Sequence, residues 1–529
     1  MDNGTLQYYK NGSLIGTAWT GLTGKTLAPA IGNGGGSNNK TACNFGQRAF
    51  AYGNAGNNRP AATFKALCTA NLPDPTIADG SAYFDIQLWT GDGNTGRNIT
   101  GYSFSPDWAW IKQRNATRAH ALFDTVRGAN KRLQSSSANA ETTHTDQLSA
   151  FLSNGFTVED NNTVNVSSGT YVGWAWDAGA NSNKTYAVKV VSDSGNKYRF
   201  DDFGTSAVTL DLSEGSTYIF DQSDSSNAGH PLRFSTTSNG THGGGSEYTT
   251  GVTTTGTPGS AGAKTTIVVA ASAPTLYYYC SVHSGMGGQA NTISTAGSSN
   301  FDGSIQTTVK ANQTAGFSIV TYSGTDSGSS QTLGHGLGAA PKLWIFKNRS
   351  ASADWIVYTT AIDGGSDYGK LNATDAFASG VSPWSTAPTS SVVTVGTNNV
   401  DTCNAGDDYL LLAFTPVEGY SKFDSYTGNG STDGPFVYTG FRPAFVVVKS
   451  TSAVGGWRTY DSSRKTFNVI NNSLHFNTTE DETAYANDEI DFLSNGFKPR
   501  ATGSFHNGNG TSYIYAAFAE NPFKTARAR

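Results

Sequence analysis

Four metal-binding side chains are the part of this sequence best suited to chemistry. The stretch Tyr277–Gly288 reads YYYCSVHSGMGG and places Cys280, His283 and Met286 three residues apart after a run of aromatic residues. His230 lies 50 positions before Cys280, and strand pairing could bring the two side chains together. A thiolate and two imidazoles suit copper or zinc, and a thioether adds a preference for copper. The residue types therefore predict a copper site with two histidines, one cysteine and an axial methionine.

The same residues also have a purely structural explanation, without a metal. A cysteine on an apolar strand is commonly a small buried hydrophobe, and a single histidine is commonly a turn residue. Met286, however, is one of only two methionines in 529 residues, and it occupies the fourth ligand place. The other histidines show no ligand spacing. The sequence also contains no paired carboxylates that we could nominate for glycan hydrolysis, no nucleophile elbow and no phosphate-binding loop. It therefore predicts a protein that is not an enzyme.

Strands with alternating apolar and polar residues should position the donor side chains. The runs YRFDD, VTLDL and TYIFDQ precede His230, and TTIVVAASAPTLYYYC (Thr265–Cys280) leads into the loop. This segment, residues 181–298, resembles the cupredoxin family, in which an upstream His, a Cys, a second His and a Met bind copper. The resemblance assigns those roles to the four side chains above and implies a Greek-key β-sandwich. Pro231 stands where many electron-transfer members have Asn, so the usual hydrogen bond that steadies the cysteine loop is not expected from this position.

Composition favours strands throughout. Charged residues make up 14% and aromatic residues 12%, with 62 glycines, which fits strands joined by Gly, Asn and Ser turns. The net charge of −5 and the lack of an internal basic run argue against nucleic-acid binding. No apolar run is long enough for a membrane span, and the four cysteines form no disulfide framework. Residues 115–152 are the best candidate for a helix.

Three segments repeat the same landmarks in the same order. Each opens with an aromatic residue, Ser or Thr, and Gly: Trp89–Gly91, Tyr322–Gly324 and Tyr426–Gly428. A proline and an apolar strand ending in lysine follow: Pro106–Lys112, Pro341–Lys347 and Pro443–Lys449. A His or Trp comes next: His120, Trp355 and Trp457. Each repeat closes on a strand that is apolar on both faces, which we expect to be central in a sandwich: Tyr171–Trp176, Tyr409–Phe414 and Tyr513–Phe518. The hexapeptide FLSNGF, at Phe151–Phe156 and Phe492–Phe497, predicts hairpins.

The predicted fold class is all-β, with tandem antiparallel β-sandwich domains of jelly-roll or concanavalin-like type and an inserted cupredoxin-like Greek-key domain. Five segments are expected: 1–80 as half of a sandwich plus a linker, 81–180 as repeat 1, 181–298 as the inserted domain, 299–418 as repeat 2, and 419–529 as repeat 3 with a basic tail.

The first segment resembles the C-terminal half of a SPRY-type, concanavalin-like sandwich. Tyr9–Gly12 matches the family's aromatic-x-Asn-Gly strand, and Asn44–Gln47 matches its late Asn-Phe-Gly-Gln strand. Half a sandwich leaves an apolar face and an unpaired edge exposed. We therefore expect either that the chain is part of a longer protein or that a partner chain supplies the missing strands.

This combination of segments resembles virion structural proteins of marine bacteriophages, such as tail fibres. The resemblance implies an elongated, extracellular virion appendage. Its partners would be a host surface receptor or glycan, other virion proteins, and further copies of the chain, with a trimer favoured. Two other interpretations stay open: a secreted or surface copper redox protein, and a bacterial surface adhesin.

Overall fold

The computed structural model describes residues 6–10, 13–21, 75–180, 183–325, 328–362, 367–379, 386–396, 399–484 and 487–521. The chain forms two compact units, Met1–Asp74 and Pro75–Arg529. The described residues are almost entirely β, mostly antiparallel, which confirms the all-β fold class. Within them, helical structure is limited to short 3₁₀ turns at Gly80–Ala82, Ser225–Asn227 and Gly240–Gly243. None of the described elements is a helix long and apolar enough to cross a membrane.

The first unit is described only as a hairpin of β1 (Leu6–Lys10) and β2 (Ser13–Trp19). On β2, the side chains of Leu14, Ile15 and Trp19 are more than half exposed, at 51%, 67% and 59%. The predicted strand at Asn44–Gln47 lies outside the described residues.

Repeat 1 is a sandwich of a six-stranded sheet, in the order β3-β11-β5-β6-β7-β8, and a three-stranded sheet, in the order β4-β10-β9. The strands are β3 (Phe84–Thr90), β4 (Arg97–Thr100), β5 (Trp108–Gln113), β6 (Ala121–Asp124), β7 (Gly128–Leu133), β8 (Thr142–Thr143), β9 (Leu148–Leu152), β10 (Gly155–Val158) and β11 (Thr170–Trp176). The FLSNGF motif forms the β9–β10 hairpin, as its Asn-Gly pair predicts. Residues 115–152, the best candidate for a helix in the sequence, form β6 to β9 instead.

The inserted module follows with β12 (Lys184–Ser192), β13 (Asn196–Phe200), β14 (Leu210–Ser213), β15 (Thr217–Asp221), β16 (Leu232–Ser235), β17 (Val252–Thr255), β18 (Lys264–Val268), β19 (Leu276–Cys280) and β20 (Gly288–Ile293). One sheet has the order β13-β12-β15-β18-β17, and β16-β19-β20-β14 lie in the other. A core of buried aromatic and aliphatic side chains holds the module together. Two strand pairs are parallel, β12 with β15 and β14 with β20.

Repeat 2 continues the module's second sheet through β21 (Ser298–Asn300) and β22 (Thr307–Asn312). Its other strands are β23 (Phe317–Ser323), β24 (Gln331–Gly334), β25 (Leu343–Asn348), β26 (Ile356–Thr359), β27 (Asp367–Lys370), β28 (Ala378–Ser379), β29 (Val392–Val395) and β30 (Asp408–Phe414). The order β23-β30-β25-β26-β27-β28 matches the large sheet of repeat 1, and β24-β29 forms the small sheet.

Repeat 3 has the same plan, with the orders β31-β39-β33-β34-β35-β36 and β32-β38-β37. The strands are β31 (Ser421–Thr427), β32 (Val437–Tyr438), β33 (Arg442–Ser450), β34 (Arg458–Asp461), β35 (Asn472–His475), β36 (Thr483–Ala484), β37 (Ile490–Leu493), β38 (Gly496–Pro499) and β39 (Ser512–Asn521). The second FLSNGF copy forms the β37–β38 hairpin. In all three repeats the closing strand lies between two neighbours, as its apolar faces predict.

The sequence landmarks build one structural motif three times. The opening aromatic ring stacks on the tyrosine of the closing strand, at centroid distances of 5.4, 5.1 and 5.1 Å for Trp89–Tyr171, Tyr322–Tyr409 and Tyr426–Tyr513. Each tyrosine hydroxyl then accepts a backbone N–H, from Val166, Asn404 and Gly508 respectively. The glycine is required because neighbouring backbone fills the space that a Cβ would occupy.

The large sheets of the three repeats share a core, which the sequence does not predict. Phe84 of repeat 1 stacks on Phe518 of repeat 3, with ring centroids 5.0 Å apart. Phe414 of repeat 2 lies 6.2 Å from the ring of Phe518. Buried residues from all three large sheets belong to this one cluster. The repeats therefore pack around a common centre.

Three equivalent seams join the repeats in a closed cycle. The ring N–H groups of the His or Trp landmark reach a carbonyl of the next repeat: His120 to His475, Trp355 to Gln134 and Trp457 to Lys370, at 3.0, 2.8 and 2.9 Å. The landmark lysines do the same: Lys112 to Thr479, Lys347 to Ala138 and Lys449 to Asp375, at 3.4, 2.9 and 2.8 Å. Repeat 1 thus contacts repeat 3, repeat 3 contacts repeat 2, and repeat 2 contacts repeat 1. We call this arrangement the ring.

The seam lysines are fully buried, and burial lowers the pKa of each to about 8. Replacing Lys347 by methionine should lower the free energy of unfolding by about 2–4 kcal/mol. The carbonyl of Ala353, 2.8 Å from Nζ, would lose its donor, and that of Ala138, 2.9 Å from Nζ, would keep only the N–H of Ala353. Urea unfolding checks this, with K189M as the control because Lys189 is exposed. An unchanged or raised midpoint for K347M would contradict the role of the seam lysines.

Candidate metal centre

Strand pairing brings the predicted donors together. His230 and Pro231 lead into β16, and Cys280 is the last residue of β19. These two strands are antiparallel, with Leu232 opposite Cys280. The Ser281 N–H donates to the carbonyl of Pro231 at 3.1 Å, which holds the two loops side by side. His283 follows three residues after Cys280 and returns toward the sulfur.

The thiol of Cys280 lies between the two imidazoles. Its Sγ is 3.9 Å from Nδ1 of His230 and 3.8 Å from Nδ1 of His283. One donor atom from each residue lies within 4.8 Å of the others, and the two imidazole ring centroids are 4.5 Å apart. In the part of the chain that the structure describes, this is the only group of three such side chains close enough to hold one ion.

The side chains of the cluster differ in their exposure to solvent. Cys280 is fully buried, His230 is partly buried and His283 is exposed. Met286 is 1% exposed and belongs to the same apolar core as Cys280. The structure therefore brings three of the four predicted ligands into one cluster and places Met286 in the core beneath the same loop.

Neutral imidazole is the form that binds a metal, and the surroundings of His230 favour it. Burial, and then the nearby His283 ring, lower the pKa of His230. The backbone N–H of His283 donates to Cys280 Sγ at 3.4 Å. Burial, followed by the Cys280 sulfur, raises the pKa of Tyr198, so this phenol stays neutral beside the site.

Two side chains and the backbone carbonyl of Asn227 fix the backbone at His230. Its carbonyl accepts the hydroxyl of Tyr198 at 2.9 Å and Nε2 of Gln222 at 2.8 Å. Gln222 Oε1 accepts the N–H of Leu232, and the N–H of His230 donates to the carbonyl of Asn227. Asn227 is fully buried and donates to the carbonyl of Val188 at 2.7 Å. These contacts hold the first ligand loop against the five-stranded sheet.

The second ligand loop is held by Asn239. Its Oδ1 accepts the N–H of Gly285 at 2.8 Å, and its Nδ2 donates to Ser284 Oγ at 2.8 Å. Lys197 also donates to the carbonyl of Gly285. An Asn from another loop, and not the residue after His230, thus supports the loop that carries His283. The sequence offers no signal for this, because Asn239-Gly240 looks like an ordinary turn.

Asn239 therefore tests whether supporting contacts tune the site. Changing Asn239 to alanine should weaken copper binding by about 10- to 100-fold, as loss of an outer partner does in other metal sites. Competition titration against a chelator measures the affinity. N291A, which removes a bond to Asp211 in the same module, is the control. Equal affinity for N239A and wild type would show that the loop needs no such support.

The donor set fits copper best among common metals. Two imidazoles and one thiolate around a partly buried point match trigonal copper sites, and the thioether of Met286, in the same core as Cys280, would favour copper over zinc. Bound copper would supply one-electron chemistry at the thiolate. The three donors would hold it, and the loops that Asn239 and Gln222 fix would keep them in place.

The family comparison covers the three repeats and both ends of the inserted module, but not the stretch that carries the predicted ligands. A family model described as Domain of unknown function (DUF7483) matches residues 79–203 and 290–522, about two thirds of the chain. All four predicted ligands fall between these two ranges. No curated protein and no solved structure matches the chain.

Proposed function

We propose, for a chain that belongs to the DUF7483 family, that the ring is a structural element without enzymatic activity and that the inserted module binds one copper ion. The observation that carries the copper site is the convergence of His230, Cys280 and His283 within 4.8 Å. The two-sheet module with its parallel strand pairs supports a cupredoxin-like fold. The proposed ligands are these three residues, with Met286 as the axial donor.

A titration with competing metals tests the copper site. The purified chain should prefer copper to zinc and should develop a visible thiolate-to-copper absorption band. Copper should also stabilise the fold: at a free copper concentration a thousand times the dissociation constant, the free energy of unfolding should rise by about 4 kcal/mol. Preference for zinc, or no binding of either metal, would overturn the copper assignment.

The ring supports a role as a virion structural protein, an extracellular appendage that attaches to a host receptor or glycan or connects virion parts. Few charges and three rigid sandwiches suit a protein that must present surfaces and resist proteolysis. Labelling purified phage particles with an antibody against the chain, followed by electron microscopy, tests this role. Label on the tail or its fibres is expected, and particles without label would reject it.

The exposure of His283 favours one second candidate, a secreted or surface copper redox protein. An exposed ligand gives an electron a short route between the metal and a partner. If the C280S variant lost its activity toward the host while its free energy of unfolding stayed unchanged, redox chemistry would be supported. Loss of stability alone would support a structural metal. The adhesin interpretation predicts bacterial surface genes, not phage genes, beside the coding sequence.

A further inference from the structure

A polar cleft opens where repeat 1, the inserted module and repeat 2 meet. Its volume is about 760 Å³, the size of a typical small-molecule site, and such sites form preferentially at domain interfaces. Strands β7 and β9 of repeat 1, residues 294–296 after β20, and Lys310 on β22 contribute to its walls. All the residues that line the cleft fall within the ranges that the family model matches, unlike the four proposed copper ligands.

Contacts between the three parts of the chain fix the shape of the cleft. The N–H of Ala296 donates to the carbonyl of Thr125 at 2.9 Å, which ties the end of the module to repeat 1. Lys310 Nζ of repeat 2 lies 2.6 Å from Asp107 Oδ1 of repeat 1. Asp107 is 1% exposed and also accepts the hydroxyl of Thr125 at 2.7 Å and the N–H of Ala178 at 2.9 Å. The walls are therefore formed before any ligand arrives.

The ion pair in the cleft is specific to repeat 1. Asp107 follows the landmark Pro106, whereas Lys342 and Ala444 follow the landmark prolines of repeats 2 and 3. Neither of these residues can replace the carboxylate. The cleft is thus not a general consequence of the repeat plan.

Two ammonium groups in the cleft keep hydrogen-bond donors for a ligand. Within the described chain, Lys310 Nζ donates only to Asp107, and Lys131 Nζ donates only to Thr143 Oγ1, at 2.9 Å. An ammonium group has three N–H donors. The guanidinium of Arg127 is fully buried against acidic partners. Lys131 has no carboxylate within ion-pair distance among the described residues, so its charge is not offset and the cleft favours an anionic ligand.

The remaining side chains of the cleft suit a sugar. Asn130, Thr145 and Ser149 line it, and their side chains make no hydrogen bond to another described residue. Amide and hydroxyl groups both donate to and accept from sugar hydroxyls. Phe151 is half-buried, packs against the core of repeat 1 and also lines the cleft. The negative face of an aromatic ring attracts the C–H groups of a sugar ring, whereas a free phosphate would gain nothing from it.

We propose that this cleft binds a short acidic saccharide, with a uronic acid carboxylate at Lys131 and Lys310 and the sugar hydroxyls at Asn130 and Ser149. The ring of Phe151 supports the apolar face of the sugar. That the saccharide belongs to a host surface rests on the proposed function. Binding in the cleft does not depend on it.

Calorimetric titration of the purified full-length chain is the first test. The probes are trisaccharides of galacturonic, glucuronic and mannuronic acid, each compared with its methyl ester. At least one acid should bind, and its ester should bind about tenfold or more weakly, because charge-assisted hydrogen bonds are lost. Absence of binding for all three acids, equal affinity for acid and ester, or inorganic phosphate binding as tightly as the acids would overturn the inference.

Variants in the cleft locate the site. K131M should weaken binding of the acid about tenfold or more, whereas K131R should keep most of the affinity. S149W, which places a large side chain at an exposed position of the wall, should abolish binding. K264M, at an exposed lysine of β18, is the control and should bind as wild type does.

Thermal unfolding should show the same melting temperature for K131M, S149W and K264M as for wild type. Wild-type affinity in both K131M and S149W would overturn the inference. Because the titrations use the purified chain, such a failure would leave the virion role untouched, and that role is tested separately by the labelling of particles.

Discussion

Replacing Cys280 by serine should abolish the visible copper band and weaken copper binding by on the order of 100-fold or more. The thiolate is the only anionic donor in the cluster and lies between both imidazoles, 3.9 Å from His230 Nδ1 and 3.8 Å from His283 Nδ1. Losing a ligand should cost at least as much as losing an outer partner, which commonly costs 10- to 100-fold. Copper titration followed by absorption and by chelator competition measures both effects.

Two further variants make this result interpretable. C403S changes another buried cysteine, whose Sγ contacts the carbonyl of Thr325, and should keep full copper binding. H283Q changes the exposed ligand, so it should lose affinity without disturbing the core. A visible absorption band as strong in C280S as in wild type would show that the Cys280 thiolate is not a copper ligand.

Replacing Phe445 by alanine should destabilise the second unit by about 3–5 kcal/mol, the usual cost of deleting a large buried aromatic side chain. Phe445 is 1% exposed and lies where the repeats meet. Its ring centroid is 5.3 Å from that of Phe84 and 5.8 Å from that of Trp174, both in repeat 1. The urea midpoint and the melting temperature should both fall.

Phe467 provides the matched control for this substitution. It is a phenylalanine of the same repeat but is 72% exposed, so F467A should change stability by no more than about 0.5 kcal/mol. If F445A and F467A had equally small effects, the three repeats would not share a core. A large loss confined to F445A is the expected outcome.

The sequence could predict that Cys280, His283 and His230 come together because most of that information is local, and copper binding there stays a prediction. Cys280, His283 and Met286 lie within seven residues, and only His230 had to come from elsewhere. Leu232, two residues after it, pairs directly with Cys280. Asn239 and Gln222 were missed because polar residues in turns carry no pattern that names their partner. Met286 is buried as expected of an axial ligand, and its role as a donor stays a prediction.

The repeats were also predictable as units, but their assembly was not. Alternating apolar residues show that a strand is buried on one face or both, and on that basis the closing strands were placed centrally. The same pattern does not say which element covers the outer face of a sheet. Lys347 illustrates this, because a lysine at the end of an apolar strand suggests solvent, whereas it is fully buried in a seam.

Metal analysis by native mass spectrometry of the full-length chain, loaded with copper and zinc together, tests the central claim most directly. The ring with its inserted module predicts one chain of 55.6 kDa carrying one copper ion. A chain that carries zinc, or no metal at all, would contradict the copper site formed by His230, Cys280 and His283.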